Sequence, residues 1–455
     1  MSGIVSKTTV DRPVSLPAER RSTMGAPSGM IAARVPRERN ATPSLRKFLT
    51  IMAQLLGLLF VFHQYHLETP EFVLMSVGIV AAFAVHYWLP FRFKEGFWVA
   101  VSIVGSFCLV EFRVASWVLA FGLLFFLILR GSASYRLRVL VVAAIFAVLA
   151  YGCASRKLHL PVAFYPVFGA IFMFRLIGYL YDFAHSKTPP SLLPYLSYFF
   201  LLPNFYFLLF PVIDFPTMRR TYYQRDIHEI AQQGIRWIGR GTVQLLLYRL
   251  VLYFNDPYLP DRVNSLGALL TTMVLTFLLY LNVSGTFHLI VGLCHLFGYD
   301  LPDTHRRYYL ANSFLDFWRR INIYWKDFMV KIVYFPVYFK LRRKGEARAQ
   351  VVATIAVFLV TWALHSYQLF WLQGTFSVTW PDTIFWGGIG ILVIANTLYD
   401  LRHPRRRGDL SWTGRAVNSV KVLGTFAVIT TLWSLWSSPT LTSWIYLLTH
   451  WTHHA

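Results

Sequence analysis

Charged residues and cysteines are both scarce in this sequence. Of its 455 residues, 14% are charged, whereas soluble domains carry roughly 25%. Hydrophobic residues make up 56% of the chain and the mean hydropathy is +0.48, which excludes a soluble globular protein. The three cysteines lie in or beside apolar segments without a CxxC spacing, so the sequence predicts neither a disulfide framework nor a zinc site.

Acidic residues are the rarer of the two charge types. Asp and Glu number 21 against 43 Lys and Arg, which gives a formal net charge of +22. Such an excess occurs in nucleic-acid-binding proteins, but in membrane proteins Lys and Arg gather in the loops that stay in the cytoplasm. The second interpretation fits the apolar composition, so we expect membrane lipid as a partner and not nucleic acid.

Long apolar runs take the place of the missing charge. A membrane-crossing helix needs about 20 apolar residues, and backbone groups in lipid must be paired internally, as in helices or closed barrels. The runs are continuous rather than alternating, which excludes a barrel. We therefore predict an all-α, multi-pass transmembrane helical bundle of about 11–12 spans. The predicted spans are 48–65, 70–91, 96–112, 114–130, 138–153, 160–182, 191–213, 242–254, 266–297, 351–372, 383–400 and 417–437.

Two of the apolar runs are too short to be assigned without an alternative. The run 242–254 is either a span or the end of a longer tilted helix that starts near Ile227. The C-terminal stretch 439–451 is predicted to be an interfacial helix.

The first 45 residues differ from the rest. Residues 1–45 are polar, rich in Ser, Pro and Arg, and lack apolar periodicity. Such a segment cannot bury enough apolar surface to fold, so we predict a disordered tail. Its arginines place it in the cytoplasm, and its length differs from that of a usual signal peptide. Residues 46–455 are predicted to form a single integral membrane domain.

Two basic clusters bear on the topology. The predicted spans 351–372 and 383–400 separate them, so both clusters can lie on one side of the membrane. The turn 373–382 has neither Lys nor Arg and is expected on the outside. The clusters are Lys340, Arg342, Arg343, Lys344 and Arg348, followed by Arg402, Arg405, Arg406 and Arg407.

The middle of the chain is less regular. Residues 217–240 and 300–350 mix Arg, aromatic and acidic residues at helical spacing, which predicts interfacial or re-entrant helices. Between 197 and 217, Pro203, Pro211 and Pro216 interrupt an aromatic helix and predict a kinked or unwound chain. Irregular backbone at membrane depth is tolerated where it lines a cavity. Asp214, next to these prolines, is expected to pair with Arg219 or Arg220.

A few polar side chains inside apolar segments are candidates for function, because each costs on the order of 2.5–3.5 kcal/mol in a span if charged. His365 lies past the middle of a predicted span; it is either a hydrogen-bonded core histidine or a general base in a dry site. In the segment 316–328, helical spacing places Asn322 on one stripe with Trp318 and Trp325. That segment is either a basic interfacial helix or part of a site.

The segment YLNVSGTFHLIVGLCHLFGYDLP holds further polar residues. Asn282 and Ser284 beside Gly285 predict a helix break or a close helix contact. His288 and His295 are seven residues apart and share a helix face, but spacing supplies no third ligand, so no metal site is predicted.

The residues from Tyr280 to Lys326 resemble the membrane-bound O-acyltransferase (MBOAT) family, most of all its bacterial branch with the alginate O-acetyltransferases and D-alanyl-teichoic-acid proteins. YLNVSGTFHLIVGLCHLFG, LPDTHRRYYLA and FWRRINIYWK match the branch's YFDFSGYSDMAIGLARLFG, LPENFNRPYLA and FWRRWHISLS. Upstream, SYFFLLPNFYFLLFPVIDFPTMRR resembles SYVFFFPTLLAGPI. Downstream, LVTWALHSYQLFWLQG resembles LLTGLWHGASWNFVLWG. The resemblance covers about residues 160–400, in the same order.

The resemblance implies a ring of helices around a tunnel and a site within it. His365 falls on the family's catalytic histidine, and Asn322 falls where the bacterial branch has a second histidine and eukaryotic members have asparagine. The branch's acidic residues in DFSGYSD are replaced here by Asn282 and His288. The implied donor-binding residues are Arg319, Arg320, Trp325 and Lys326, and the implied tunnel-lining residues are Asn282, Ser284, His288, Trp318 and Trp362.

The resemblance also implies the reaction. An acyl group, with acetyl favoured, would pass from a cytoplasmic acyl-CoA or acyl-carrier-protein thioester to a hydroxyl of a polysaccharide, lipid or exported small molecule. No cofactor is expected to stay bound. The implied location is the bacterial inner membrane, with envelope-modifying proteins as partners. The alternatives are a transporter or flippase that uses the same tunnel, and a non-catalytic MBOAT-like scaffold.

Overall fold

The computed structural model describes residues 37–186, 189–255, 263–403 and 411–449. The described residues are all-α, with no strand and one isolated bridge between Tyr222 and Tyr299. Residues 1–36 of the predicted tail, Arg405–Arg407 and the end of 439–451 lie outside this range. The α-helices, in chain order, are α1 (Leu45–Gln64), α2 (Pro70–Trp88), α3 (Phe91–Leu109), α4 (Phe112–Arg130), α5 (Tyr135–Ser155), α6 (Phe164–Phe172), α7 (Arg175–Ala184), α8 (Leu192–Phe199), α9 (Leu202–Tyr206), α10 (Phe215–Thr221), α11 (Ile227–Asn255), α12 (Leu266–Leu278), α13 (Leu281–Leu296), α14 (Phe314–Ile321), α15 (Ile323–Met329), α16 (Phe335–Leu341), α17 (Glu346–Gln373), α18 (Trp380–Arg402), α19 (Trp412–Trp436) and α20 (Leu441–Thr449).

Nine helices in the described part of the chain are long and apolar enough to cross a membrane, counting α6–α7 and α12–α13 each as one. The protein is therefore a multi-pass helical membrane protein, as the sequence predicts. Three of the predicted spans are not among the nine. The first turns of α3 are charged, the stretch 191–213 is divided into α8 and α9, and 242–254 is the end of α11. That last helix begins at Ile227, where the sequence placed the start of a longer helix.

Helices α11 and α13 pack with their backbones in contact. Gly241 and Gly285 face each other, and Gly234 faces Gly292 two helical turns away. A Cβ on Gly241 would lie 2.6 Å from the carbonyl oxygen of Gly285, and one on Gly292 would lie 2.7 Å from that of Gly234. The close helix contact predicted beside Gly285 is thus confirmed, and the break falls just before α13, at Leu279 and Tyr280.

The proline-rich segment after α7 is irregular, as predicted. The helices α8 and α9 are short, and no helix is present between Phe207 and Asp214. Pro203 and Pro216 occupy the first turns of α9 and α10, where a missing N–H costs nothing. This stretch packs inside the main apolar core, which includes Phe199, Phe200 and Phe205.

The ion pair predicted for Asp214 is wrong in its partner. One Asp214 oxygen accepts from the backbone N–H of Thr217 and caps α10, and the other accepts from Lys331 at 2.5 Å. Lys331 also pairs with Asp182, whereas Arg219 pairs with Glu95. Spacing along the chain favoured the near arginines, but those side chains leave the helix in another direction.

The prediction of one helix through 316–328 is also wrong. The backbone of Asn322 has φ −141° and ψ 88°, so α14 ends before it and α15 begins after it. The N–H of Ile323 donates to the carbonyl of Thr304 at 3.0 Å instead of continuing the helix. A π-helical turn, Val330–Tyr334, follows α15 and carries Lys331.

Helices α17 and α18 form an antiparallel pair of candidate spans joined by residues 374–379. Arg348 lies at the start of α17 and Arg402 at the end of α18, so both belong to the same end of this hairpin. A second apolar cluster packs α14, α18 and α19 together around Phe317, Phe385 and Trp433.

Candidate active site

A cavity of about 310 Å³ lies inside the bundle. Its walls come from α6 and α7, the irregular stretch before α10, α13, the α14–α15 junction, and α17 to α19. Its size is at the lower end of the roughly 300–1,000 Å³ typical of ligand pockets. The wall is mostly apolar, with a few polar side chains. These are Arg175, Asn322, His365, Ser366, Gln368, Ser377 and Asp382.

His365 is held in one orientation by its own helix. The ring Nδ1 lies 2.8 Å from the carbonyl oxygen of Thr361, one turn earlier in α17. Because a carbonyl only accepts, Nδ1 carries the proton and the neutral ring has its lone pair on Nε2. The ring is packed among Trp325, at 5.3 Å between centroids, and Trp386, at 4.5 Å. The neutral form of His365 therefore presents Nε2 as a hydrogen-bond acceptor in a largely apolar surrounding.

Asn322 reaches the same cavity because the helix breaks there. Its Oδ1 accepts from the backbone N–H of Trp325 at 3.1 Å, which makes Asn322 the N-cap of α15. Because Oδ1 is used in this bond, the orientation of the amide is fixed and its NH₂ group remains as a hydrogen-bond donor. Trp325, which follows in α15, donates from its indole N–H toward the hydroxyl of Thr361 at 3.4 Å. Thr361 therefore contacts both His365, through its carbonyl, and Trp325, through its hydroxyl.

Asp382 is a site residue that the sequence analysis does not identify. It lies in the first turn of α18, where one carboxylate oxygen accepts from the hydroxyl of Thr379 at 2.6 Å. The other oxygen accepts from the indole N–H of Trp436 at 2.7 Å. A first-turn acidic residue is ordinarily explained as helix capping, and only the fold shows that it also lines the cavity of His365.

Arg175 is a second residue that the sequence analysis passes over. It begins α7 after the break at Met173 and Phe174, and only 3% of it is exposed. Its guanidinium donates to Asn204 Oδ1 at 2.9 Å and lies 3.7 Å from the centre of the Phe210 ring. A single arginine halfway along a long apolar run is the signal that could have found it.

Of the implied tunnel-lining residues, Trp362 lines the cavity, and Asn282, Ser284, His288 and Trp318 do not. Helix α13 contributes Val283 and Phe287 instead. His288 lies one position further round the helix than Phe287 and faces α11, where its Nδ1 is 2.6 Å from Gln244 Oε1. The Ser284 hydroxyl lies 3.4 Å from the carbonyl oxygen of Leu281 in its own helix. The helix α13 therefore contributes to the cavity wall through other residues than the implied ones.

Among the implied donor-binding residues, one lines the cavity and three do not. Trp325 lines the cavity, whereas Arg319, Arg320 and Lys326 are not in its wall. Arg320 pairs with Asp316 at 2.8 Å, and Lys326 pairs with Asp327 at 2.6 Å. Arg319 and Arg320 precede the helix break at Asn322, and Lys326 follows it. A role of these three cations at the mouth of the site stays a prediction.

In the described ranges, no three His, Cys, Asp or Glu side chains come together as they would around a metal ion. His288 and His295 do not line the cavity; the ring of His288 stacks on Trp237 with centroids 4.8 Å apart.

The chain matches no family model, and no curated protein matches it significantly.

Proposed function

We propose that this protein is a membrane O-acyltransferase in which His365 is the general base. The observation that carries the proposal is the convergence of His365, Asn322 and Trp325 on one mostly apolar cavity. These residues come from two motifs about 40 positions apart in the sequence, the same two motifs that carry the resemblance to the MBOAT family.

The reaction follows from the orientation of His365. Its Nε2 lone pair accepts the proton of the acceptor hydroxyl, whose oxygen attacks the carbonyl carbon of the acyl thioester. The C–S bond then breaks, the ester forms, and the leaving thiolate takes the proton back from the imidazolium. The tryptophans around His365 exclude water, which would otherwise hydrolyse the thioester.

Two neighbouring groups stabilise charges that develop in this reaction. The NH₂ group of Asn322 is the donor suited to the oxyanion of the tetrahedral intermediate, a contribution of roughly 2.7–4 kcal/mol in well-formed sites. The carboxylate of Asp382, in the same wall, favours the imidazolium that forms on His365. Both residues are held by hydrogen bonds to other groups, so neither needs to move.

The topology supports access from opposite sides. By the positive-inside rule the end of the α17–α18 hairpin with Arg348 and Arg402 faces the cytoplasm. We propose that the thioester, acyl-CoA or an acyl carrier protein, enters from that side. The hydroxylated acceptor, on a polysaccharide, lipid or exported molecule, enters from the other, with the protein in the bacterial inner membrane, its N-terminus cytoplasmic and envelope-modifying proteins as partners.

Thiol release from acetyl-CoA tests the proposal. Membranes that carry the protein are expected to release free thiol in the presence of acceptor, and His365→Ala should lower the rate by about 10²–10⁴-fold. His63→Ala, an exposed histidine at the end of α1, is the matched control and should keep the wild-type rate.

Two results would end the proposal. Wild-type turnover by His365→Ala would remove His365 as the base. Transport of a substrate across proteoliposomes without any thiol release would instead identify a transporter.

A further inference from the structure

Arg175 is a buried cation near the middle of a candidate membrane span. It is the twelfth of the 21 residues in the candidate span Phe164–Ala184. A charged residue at the centre of a span costs on the order of 2.5–3.5 kcal/mol on insertion scales, and such residues pair with other groups or mark the path of a substrate. Arg175 therefore needs either a partner in the fold or a ligand.

The fold gives Arg175 neutral partners. Its guanidinium donates to Asn204 Oδ1 and, at 3.4 Å, to the carbonyl of Tyr198. In the described part of the chain, no carboxylate lies within ion-pair distance of it, and the carboxylates of its own helix and of the cavity wall have other partners. Asp182, in the same helix, pairs with Lys331. Asp382, across the cavity, binds Thr379 and Trp436.

These contacts orient the guanidinium without neutralising it. The Phe210 ring covers one face, at 3.7 Å, and the two acceptors use two of the five N–H donors of an arginine. Arg175 lies in the wall of the cavity that contains His365. A fixed guanidinium with spare donors and no paired carboxylate, in the wall of a mostly apolar cavity, is suited to bind an oxyanion through two parallel hydrogen bonds.

We propose that Arg175 binds an oxyanion, a carboxylate or phosphate group, of the molecule that occupies the His365 cavity. The inference rests on the proposed function and narrows it. The substrate that enters this cavity carries a negative charge close to the hydroxyl or acyl group that reacts. A neutral sugar or lipid alcohol would leave the cation of Arg175 without a counter-charge.

Binding, measured without turnover, tests this. The purified full-length protein is titrated with glucuronate and with glucose, which differ in one carboxylate, and the shift of its thermal unfolding midpoint gives the apparent affinity. We expect glucuronate to stabilise the wild type more than glucose does. Arg175→Gln should weaken glucuronate binding about ten- to a hundredfold, the range of charged hydrogen bonds, and leave glucose unchanged.

The source of the oxyanion is decided by two further probe pairs. Glucose 6-phosphate against glucose tests an acceptor phosphate, and coenzyme A against pantetheine tests the phosphates of the donor. A preference for the charged member of any pair that disappears in Arg175→Gln supports the proposal and identifies the source. Equal binding of both members of all three pairs by the wild type, or preferences that survive in Arg175→Gln, would overturn it.

Two variants keep the outcome interpretable. If Arg175→Gln does not fold, Arg175→Lys takes its place: it keeps the charge, loses the planar fork and should bind the charged probe more weakly, whereas undiminished binding would overturn the proposal. His365→Ala should lose thiol release and keep the charge preference. Absence of turnover with a retained preference therefore refutes the proposed reaction alone, and turnover without a charge preference refutes the role of Arg175 alone.

Discussion

The contact between α11 and α13 can be tested by adding one methyl group. Gly241→Ala would place a Cβ 2.6 Å from the carbonyl oxygen of Gly285 and 2.9 Å from the backbone nitrogen of Leu289. Both atoms belong to the backbone of α13, so no side chain can rotate away. Gly239, two residues earlier in α11, offers the matched control, because nothing lies within 4 Å of the Cβ it would gain.

The magnitude follows from these distances. Ordinary contact begins at 3.4 Å, so the helices must separate by about 0.8 Å at Gly241, and the neighbouring Gly234–Gly292 contact opens with it. Overpacking of this kind costs about 1–3 kcal/mol. Gly239→Ala adds no contact. Both substitutions gain up to about 1 kcal/mol from helix propensity, because both glycines lie inside α11. This gain cancels in the comparison, so Gly241→Ala should have the lower unfolding free energy of the two variants by about 1–3 kcal/mol.

Thermal unfolding in a single detergent compares the three proteins directly. We expect the midpoint of Gly241→Ala to fall and that of Gly239→Ala to stay level or rise. Gly292→Ala, whose Cβ would meet the carbonyl oxygen of Gly234 at 2.7 Å, should fall in the same way. If Gly241→Ala and Gly239→Ala unfold at the same temperature, the helices are not held at backbone contact and the described packing is wrong.

Three further predictions concern single side chains. Asn322→Ala should lower thiol release about 10²–10³-fold by removing an oxyanion donor, and lower the unfolding free energy by about 0.5–2 kcal/mol through loss of the α15 cap; an unchanged rate would restrict Asn322 to capping. Asp382→Asn should lower kcat at a similar KM, because the amide no longer favours the imidazolium; a change confined to KM would contradict this role. Lys331→Met leaves the carboxylates of Asp182 and Asp214 without their cation and should lower the unfolding midpoint. The loss of unfolding free energy should be smaller than the roughly 3–5 kcal/mol of a fully buried pair, because Asp214 is 36% exposed. Adding Asp214→Asn to this variant should restore part of the midpoint, which is the check.

The fold class follows directly from the sequence because lipid leaves the backbone few choices. Continuous apolar runs specify spanning helices, and the runs predicted at 48–65, 70–91 and 351–372 coincide with α1, α2 and α17 to within a few residues. The number of spans is less well determined by hydropathy. Whether the stretch 191–213 crosses the membrane depends on where its prolines end each helix, and that depends on packing against the neighbouring core.

The site is predictable in its segments and not in its helix faces. His365 and Asn322 are costly polar groups in apolar surroundings, and the structure brings both to one cavity. The resemblance implied that His288 lines the tunnel, yet His288 faces α11, against which Gly285 and Gly292 pack. The polar residues of α13 could be identified from the sequence, but the glycines determine which face of α13 packs against α11.

The two site residues that the sequence does not reveal, Arg175 and Asp382, share a feature with Asn322: each lies where a helix begins or ends. Arg175 starts α7 after the break at Phe174, Asn322 separates α14 from α15, and Asp382 lies in the first turn of α18. Backbone groups freed at such breaks need partners, and inside a membrane irregular backbone is tolerated where protein buries it or where it lines a cavity. The helix breaks and the cavity are therefore one feature. Polar side chains line the cavity at the positions where apolar helices are interrupted. A helical periodicity drawn through 316–328 assumes one continuous helix, so it does not show the interruption that brings Asn322 to the cavity wall.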